Sequence, residues 1–427
     1  MQTSGAATAQ RERAALELLH PDGVGRSAAD VIVVREATAS AAGLLRDRLT
    51  ADGVAYLKLG PARRAALARA AGLELGPAVV EVAGMLVPVQ RDALRWALAR
   101  TATVRGRVGR FAPLRALAML GSGAIARRPG ARPLGNWLHA RGNGTAVVAG
   151  RRTAFLVDRD GLALVAKIGT GLAARRALTE AAALADLGPE ARRAGAQVPV
   201  ALENGRLDAA PLLVTTGIQG APASALIAAR PQRRVRLIER LAEWLERWNV
   251  ATAIDGVLSA ELLECELLAP ARKLGLPERH VAELGRLCSR LVGRPVKLVA
   301  AHNDLTTANV LVDRNDGLGI VDWETAERRT LPLGDLFYAL GDAEAAVTGF
   351  VDRPQAVVAL AAAEGVELES RFVATLGLDQ RVADVCFHAC WLRHAANESR
   401  REGGGERPFL QIVRTISERQ VRLGAVA

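Results

Sequence analysis

The sequence predicts an α+β protein in three parts: an N-terminal α/β extension over residues 1–132, a small antiparallel β region over 133–216 and a large helical region over 217–427. Two observations predict this organisation. Short β-rich runs joined by turn-forming residues occupy the middle of the chain, and most of the chain after Pro222 has helical patterning. With 427 residues, the chain is long enough to bury a sizeable core.

The extension alternates strand-like and helix-like runs. Residues 30–34, 54–59 and 79–87 are typical of strands, and residues 61–71 are typical of a helix. No glycine-rich cofactor loop follows these strands, so the sequence assigns no activity to the extension. The run 121–133 is rich in Gly, Pro and Arg and predicts a linker.

The β region contains three strand-like runs, at residues 145–149, 153–157 and 162–168. Turn-forming residues separate them, so we expect an antiparallel meander. A helix is predicted next over residues 173–187, and it stops at Gly188-Pro189.

One hairpin interrupts the predicted helices of the last region. Residues 310–313 and 318–321 are short apolar runs on either side of Asn315-Asp316-Gly317, which is a strong hairpin signal. A further strand is predicted earlier, over residues 211–215.

The residues around this hairpin indicate chemistry. Asp304 and Asn309 lie five positions apart just before it, and Asp322 lies just after it. Phosphoryl transfer needs a carboxylate that accepts the proton of the attacking hydroxyl, and oxygen ligands that hold Mg²⁺ against the nucleotide phosphates. The hairpin brings Asn309 and Asp322 to adjacent strand ends, so both can reach one metal ion.

The run His302-Asn303-Asp304-Leu305-Thr306-Thr307-Ala308-Asn309 resembles the catalytic loop of the aminoglycoside phosphotransferase and choline kinase group of the protein-kinase-like superfamily. Asp322-Trp323-Glu324 resembles the group's metal-binding triplet, and Gly334-Asp335-Leu336 is similar to the pattern that follows it. The resemblance covers about residues 133–345. It implies a two-lobed protein-kinase-like fold with a small antiparallel β lobe and a large helical lobe.

The resemblance also implies roles for these residues. Asp304 would be the catalytic base, and Asn309 and Asp322 would hold Mg²⁺ for the phosphate donor ATP. Asp335 would be structural. The neighbouring His302 and Glu324 are candidates for structural or acceptor-side roles.

Lysine and glutamate stand where a kinase would use them to bind the α and β phosphates of ATP. Lys167 ends a predicted strand, and Glu180 lies in the helix predicted after it. The chain has lysine at only four positions, so a lysine at this place favours the functional role. The alternative is a surface lysine and a solvated helix glutamate.

Two further segments are candidates for ATP binding. Gly142 and Gly144 are candidates for the loop that covers the phosphates, although they do not match GxGxxG. Residues 211–222 resemble the hinge whose main chain would bind adenine.

Charge is concentrated in one stretch. The net charge is +11, and residues 91–132 contain ten arginines but one acid, Asp92. The favoured interpretation is a solvated connector, and the alternative is peripheral contact with an anionic surface such as membrane headgroups. Nucleic acid is not expected as a partner, because no recognition motif accompanies the basic residues.

The cysteines and the hydropathy predict a cytoplasmic protein, with contact at a membrane surface as the open alternative. The four cysteines have no disulfide or zinc spacing. Cys386, Cys390 and His394 have helical spacing that would suit a metal, but a helix that buries small apolar thiols is the favoured interpretation. No run of apolar residues is long enough to cross a bilayer.

The sequence therefore predicts an ATP-dependent kinase for a hydroxyl of a small molecule: a sugar, aminoglycoside, amino alcohol or glycan precursor. The alternative is a non-catalytic, pseudokinase-like binding or scaffold module. The acceptor and the oligomeric state cannot be read from the sequence. Candidates to line the acceptor pocket are Asp342, Asp384, His388, Trp391, His394 and Glu398.

Overall fold

The structure is a computed structural model that describes residues 29–34, 39–57, 59, 61–82, 85–99, 123–127, 138, 142, 144–149, 153–169, 172–207, 210–360, 364–400 and 407–423. The described residues form two compact units. The first contains those up to Ala177 and Ala201–Gly217, and the second contains Leu178–Val200 and those from Ile218 onwards.

The first unit is built on a sheet in which ten strands of the described chain take part. In sequence order the strands are β1 (Ala29–Val34), β2 (Leu49–Leu57), β3 (Glu74–Val82), β4 (Met85–Pro88), β5 (Gly123–Arg127), β6 (Thr145–Ala149), β7 (Thr153–Asp158), β8 (Gly161–Ile168), β9 (Ala201–Leu207) and β10 (Ala210–Thr216). Across the sheet the order is β1-β2-β5-β3-β4-β6-β7-β8-β10-β9. The pairing is antiparallel except between β1 and β2. The helices of this unit include α1 (Ala39–Arg48), α2 (Pro61–Ala71) and α3 (Arg91–Ala99).

Two predictions for the extension are wrong. The predicted linker contains β5, which pairs with both β2 and β3. Its Gly- and Arg-rich flanks hide the short apolar run Ala124-Ile125-Ala126 that forms the strand. The single strand predicted over 79–87 is instead a pair, because β3 and β4 are antiparallel neighbours with Val82 opposite Met85.

The meander predicted over β6, β7 and β8 is confirmed, and it is continuous with the strands of the extension. Met85 and Leu86 of β4 pair with Ala149 and Val148 of β6. One sheet therefore includes strands from both sides of residue 132.

Helix α3 packs its apolar side against this sheet. Ala93, Leu94 and Ala97 belong to one buried cluster with Val147, Val157 and Leu162 of the sheet. The rings of Trp96 and Phe155 lie 5.0 Å apart. The apolar residues of this part of the basic stretch thus pack inside the first unit. Residues 100–122 and 128–132 of the stretch lie outside the described residues, and contact with an anionic surface stays a prediction.

The second unit is mainly helical. Its elements, in chain order, are α4 (Leu172–Asp186), which begins in the first unit, α5 (Gly188–Arg193), β11 (Ala221–Pro222), α6 (Ala223–Ala229), α7 (Arg233–Thr252), β12 (Ile254–Val257), α8 (Ala260–Leu263), a π-helical turn (Glu264–Leu268), α9 (Ala269–Lys273), α10 (Glu278–Leu291), β13 (Pro295–Ala301), β14 (Val310–Val312), β15 (Leu318–Ile320), β16 (Glu327–Thr330), α11 (Gly334–Val347), α12 (Arg353–Leu360), α13 (Glu364–Leu376), α14 (Gln380–Ser399) and α15 (Pro408–Arg419).

The hairpin predicted from the sequence is formed by β14 and β15, and β11 pairs with β14 to give a three-stranded sheet. A second sheet, in the order β12-β13-β16, was not predicted. The expectation that the region is helical apart from one hairpin is therefore wrong. Strands β12 and β16 have four residues each, and β16 (Glu-Arg-Arg-Thr) lacks an apolar pattern, whereas β13 has seven mostly apolar residues.

Three fully buried tryptophans form the centre of the second unit. Trp244 stacks on Trp248 at 5.0 Å, and Trp248 meets Trp323 edge-on at 5.5 Å. The indole N–H of Trp323 donates to the carbonyl of Ile320 in β15 (3.0 Å). The core thereby holds the end of the hairpin that leads to Asp322. Among the described helices, none is both long and apolar enough to span a bilayer.

Gly341→Ala in α11 should destabilise the protein although alanine is the better helix former. A Cβ at Gly341 would lie 2.7 Å from the Trp391 ring and 3.1 Å from Val357, and we expect this overpacking to lower the free energy of unfolding by ~1–3 kcal/mol. The matched control is Gly285→Ala in α10, where a Cβ meets no atom within 4 Å. We expect a gain of ~0.5–1 kcal/mol there. Equal shifts of both variants in urea unfolding would contradict the packing described.

Candidate active site

The hairpin places Asn309 and Asp322 at adjacent strand ends, as the sequence predicts. Val310 pairs with Ile320, and the Val321 N–H donates to the Asn309 carbonyl (3.1 Å). The tight connection at the other end is closed by Asp313, whose Oδ1 accepts the N–H of Asn315 (2.7 Å) and of Gly317 (2.8 Å).

Asp304 lies against this pair of residues. The Asn309 Nδ2 donates to the Asp304 carbonyl (2.9 Å) and to its Oδ2 (3.1 Å). The charge of Asp322 is close enough to raise the pKa of Asp304. Asp322 itself has a positive φ of 70°, a backbone conformation that non-glycine residues rarely adopt and that concentrates at functional sites. The structure thus brings together the three residues singled out from the sequence.

The pKa of the Asp304 carboxyl is raised to about 6. Burial is the largest cause, and the negative charges of Asp322 and Glu324 add to it. Hydrogen bonds from Tyr338 and Asn309 act in the opposite direction, because they stabilise the carboxylate. The result is a carboxylate that is largely ionised at neutral pH but more basic than an ordinary aspartate.

Helix α11 holds the loop that carries Asp304. The Asp335 carboxylate, at its first turn, accepts the backbone N–H of His302 (2.6 Å) and of Asn303 (2.8 Å). Asn303 has a φ of 61°, so these two hydrogen bonds fix a left-handed turn directly before Asp304. Asp335 is buried, and burial raises its pKa to about 6 in spite of these two bonds.

Two more side chains of α11 reach the same loop. The Tyr338 hydroxyl donates to the Asp304 Oδ1 at 3.4 Å. The Asp342 carboxylate accepts both the backbone N–H (2.8 Å) and the hydroxyl of Thr307. Asp335, Tyr338 and Asp342 are spaced by three and four residues and therefore share one helix face.

His302 occupies a structural place. Its ring is fully buried, lies edge-on to Trp323 at 5.0 Å, and its Nε2 lies 3.1 Å from the Val321 carbonyl. The Thr325 hydroxyl donates to the His302 carbonyl (3.0 Å). Of its two candidate roles, this geometry favours the structural one.

Arg393 of α14 braces the left-handed residue from the other side. Its Nη1 donates to the Asn303 Oδ1 (2.8 Å), and its guanidinium forms ion pairs with Glu266 (3.1 Å) and Glu327 (3.3 Å). The Asn303 Nδ2 donates to the Thr325 carbonyl (3.0 Å). The asparagine is therefore held through its main chain and through both ends of its amide.

Sequence reasoning missed Tyr338, Arg393 and Arg353, because their roles depend on contacts between distant helices. The only available sequence signal was the spacing of Tyr338 three residues after Asp335. Asp342 was expected on the acceptor side, but it is buried beneath the loop, where Thr307 and Arg353 (3.5 Å) are its partners.

The C-terminal residues proposed to line one pocket do not lie together. Asp384 pairs with Arg422 (3.8 Å), and His388 is buried beside His280. His394, in contrast, stacks on Tyr338 with 3.8 Å between the ring centroids. His394 and Trp391, whose ring centroid lies 6.1 Å from that of Tyr338, are thus brought near Asp304, and the Glu398 carboxylate accepts the N–H of Leu410 (3.0 Å).

The described residues contain no group of three or more His, Cys, Asp or Glu side chains that could hold a metal ion. Cys386 and Cys390 are buried, and burial raises the pKa of both thiols, as expected for apolar packing. One carboxylate and one amide, from Asp322 and Asn309, suit Mg²⁺, which keeps waters and substrate phosphates as its other ligands.

The remaining candidates for ATP binding are Lys167, Glu180, Gly142 and Gly144. Lys167 is half-buried near the end of β8, opposite Leu213 of β10, and Glu180 is buried on α4. A Cβ at Gly142 or Gly144 would approach Leu156 or the Val157 carbonyl to below 3 Å. Packing against the β7 backbone explains Gly144, whereas Gly142 faces only the end of the Leu156 side chain, and contact of either glycine with phosphates stays a prediction.

Comparison with known proteins finds similarity to solved structures of aminoglycoside phosphotransferases. The search of curated proteins found no match. Aminoglycoside phosphotransferase APH(4)-Ia is 15% identical, and the match covers 68% of this chain and 97% of that chain with a TM-score of 0.44. The GDP complex of wild-type aminoglycoside 2'-phosphotransferase-IIIa is 16% identical, and the match covers 65% of this chain and 91% of that chain with a TM-score of 0.40. A third similar structure is aminoglycoside phosphotransferase APH(3'')-Id from Streptomyces rimosus ATCC10970 in complex with ADP and streptomycin. It is 19% identical, and the match covers 55% of this chain and 88% of that chain with a TM-score of 0.33.

The α+β fold class predicted from the sequence is confirmed, because the first unit is built on a mostly antiparallel sheet and the second unit is mainly helical. The model of the phosphotransferase enzyme family (APH) matches residues 146–372, which include the whole loop, the hairpin and α11. Because this match spans more than half of the 427 residues, the chain belongs to the phosphotransferase enzyme family.

Proposed function

We propose that this protein transfers the γ-phosphate of ATP to a hydroxyl group of a small molecule, with Asp304 as the catalytic base. The observation that carries the proposal is the environment of Asp304. Its carboxylate is buried, lies beside Asn309 and Asp322, and has a pKa raised to about 6. A base with a pKa near the working pH combines ionisation with proton affinity, which is what general-base catalysis requires.

In the proposed reaction, Asp304 orients the acceptor hydroxyl and accepts its proton. The hydroxyl oxygen forms a bond to the γ-phosphorus while the bond to the β-phosphate oxygen breaks, which releases ADP and leaves the proton on Asp304 or on solvent. Tyr338 and Asn309 hold the two carboxylate oxygens, so the base does not need to reorient during the reaction.

The other residues singled out from the sequence would bind the phosphate donor ATP and its metal ion. Asn309, through its Oδ1, and Asp322 would hold Mg²⁺, which supplies charge neutralisation on the phosphates. Lys167, with Glu180, would bind the α and β phosphates, and the loop at Gly142 and Gly144 would cover them.

The acceptor class stays a proposal. The matched relatives include complexes with streptomycin and with hygromycin B, so an aminoglycoside is one candidate beside a sugar, an amino alcohol or a glycan precursor.

Asp335 would act only by positioning the loop. We propose a cytoplasmic location. No observation on the described residues favours the non-catalytic alternative, since Lys167, Glu180, Asp304, Asn309 and Asp322 are all present.

Substitution of the two aspartates separates chemistry from nucleotide binding. In a thermal-shift assay with MgATP, Asp304→Asn should keep the stabilisation seen in the wild type, whereas Asp322→Ala should lose most of it. ATP consumption in the presence of a panel of hydroxylated metabolites should fall by about 10²-fold or more in Asp304→Asn, because the base is removed. Turnover that is unchanged in Asp304→Asn would contradict the base assignment.

The pKa of Asp304 predicts the pH dependence of the reaction. A raised pKa means that the carboxylate is present above about pH 6 and is lost as pH falls through this value, so kcat/KM for ATP should decline below about pH 6. Tyr338→Phe removes a hydrogen bond that lowers this pKa and should move the decline to higher pH. Tyr56→Phe, in the first unit, is the matched control and should leave the profile in place. An identical profile for wild type and Tyr338→Phe would be evidence against Asp304 as the titrating group.

A further inference from the structure

A row of aromatic rings leads away from Asp304 within the second unit. The Tyr338 hydroxyl contacts the Asp304 carboxylate, and the Tyr338 ring stacks on His394 (3.8 Å, 19° between planes). His394 in turn stacks on Phe409 (5.2 Å, 28°). Tyr338 is almost fully buried, whereas His394 and Phe409 are half-buried. The rings of His394 and Phe409 are therefore partly open to solvent beside the residue that contacts the base.

Arg353, at the start of α12, lies at the far end of this row. Its guanidinium carbon is 5.8 Å from the centre of the Phe409 ring and 4.7 Å from that of Phe350, which is 38% exposed. The positive charge of Arg353 also acts on Tyr338. It lowers the pKa of the phenol, in opposition to burial, which raises it. Arg353 is thus close to the same surface as the base.

The guanidinium has hydrogen-bonding capacity beyond its ion pair. Arg353 contacts the Asp342 Oδ1 at 3.5 Å, and the other carboxylate oxygen of Asp342 accepts from Thr307. A guanidinium carries five N–H donors, more than this single contact uses. The Arg353 side chain is 28% exposed, whereas that of Asp342 is 5% exposed. The buried aspartate therefore orients Arg353, and part of the arginine side chain stays exposed.

Carboxylates near this surface that would suit a cationic acceptor already have partners. Asp342 is engaged by Thr307 and Arg353. Glu398 accepts the backbone N–H of Leu410 (3.0 Å), and Glu344 forms an ion pair with Arg234. Arg353 is thus the cationic group that adjoins the end of the aromatic row, and the carboxylate of the preceding Asp352 accepts the backbone N–H of Gln355 (3.1 Å).

We propose that the acceptor carries a negatively charged group, which Arg353 binds while the half-buried rings of His394 and Phe409 support the body of the molecule and its hydroxyl reaches Asp304. This inference rests on the proposed kinase function and narrows its substrate class to hydroxylated carboxylates or phosphates. An arginine fork matches the oxygens of either anion in a two-point contact.

The test compares acceptors that differ only in charge. Magnesium-dependent ATP consumption is measured with glucose, glucosamine, glucuronate and glucose 6-phosphate, and with ribitol, ribonate and ribitol 5-phosphate. We expect kcat/KM for an anionic member to exceed that of its neutral counterpart by about tenfold or more. The carboxylate and phosphate members show which anion is preferred.

Substitution at Arg353 isolates its contribution. Arg353→Gln should reduce the preference for the anionic member to about onefold, mainly through KM, and Arg353→Lys should restore part of it. A purely structural role would lower the rates with neutral and anionic acceptors equally and leave their ratio unchanged. The matched control is Arg234→Gln, which removes another arginine paired with α11 and should leave the ratio as in the wild type.

Three results would overturn the inference. They are preference for the cationic member, a charge preference that survives Arg353→Gln, and no consumption of any anionic member by protein that binds MgATP in a thermal-shift assay. A protein that does not bind MgATP at all would instead contradict the proposed kinase function.

Discussion

The site depends on the two hydrogen bonds that Asp335 accepts from the main chain of His302 and Asn303. They hold Asn303 in a left-handed conformation, which sets the direction in which the chain enters Asp304. A short loop has little core of its own, so its shape must come from neighbouring elements. Here one face of α11 supplies it, since Asp335, Tyr338 and Asp342 each bind a different part of the loop.

Burying acidic groups close together disfavours their charged forms, and in this site it raises the pKa of Asp304. Burial raises the pKa of Asp304 most, and the charges of Asp322 and Glu324 raise it further. For Asp304 the outcome is a base stronger than an ordinary aspartate. Asp342 is held differently, because Thr307 and Arg353 satisfy its two oxygens. The same helix thus contacts the carboxylate proposed as the base and supplies two carboxylates that hold the loop.

Much of the loop and hairpin could be predicted from the sequence because their signals are local. Turn residues such as Asn315-Asp316-Gly317 specify a hairpin wherever they occur, and the spacing of Asp304, Asn309 and Asp322 follows from it. The contributions of Tyr338, Arg353 and Arg393 could not be predicted, since each depends on which helices pack together. Strand β5 was missed for another reason: its composition is that of a linker, and only its partners β2 and β3 make it a strand.

We propose that Asn309 and Asp322 together bind a divalent cation beside Asp304. Electron paramagnetic resonance of Mn²⁺ tests it most directly, by titrating the ion into the protein with saturating ADP. The account predicts that Asn309→Ala and Asp322→Ala each weaken Mn²⁺ binding by about tenfold or more, and that Asp304→Asn changes it by much less. Equal Mn²⁺ affinity in the wild type, Asn309→Ala and Asp322→Ala would contradict the account.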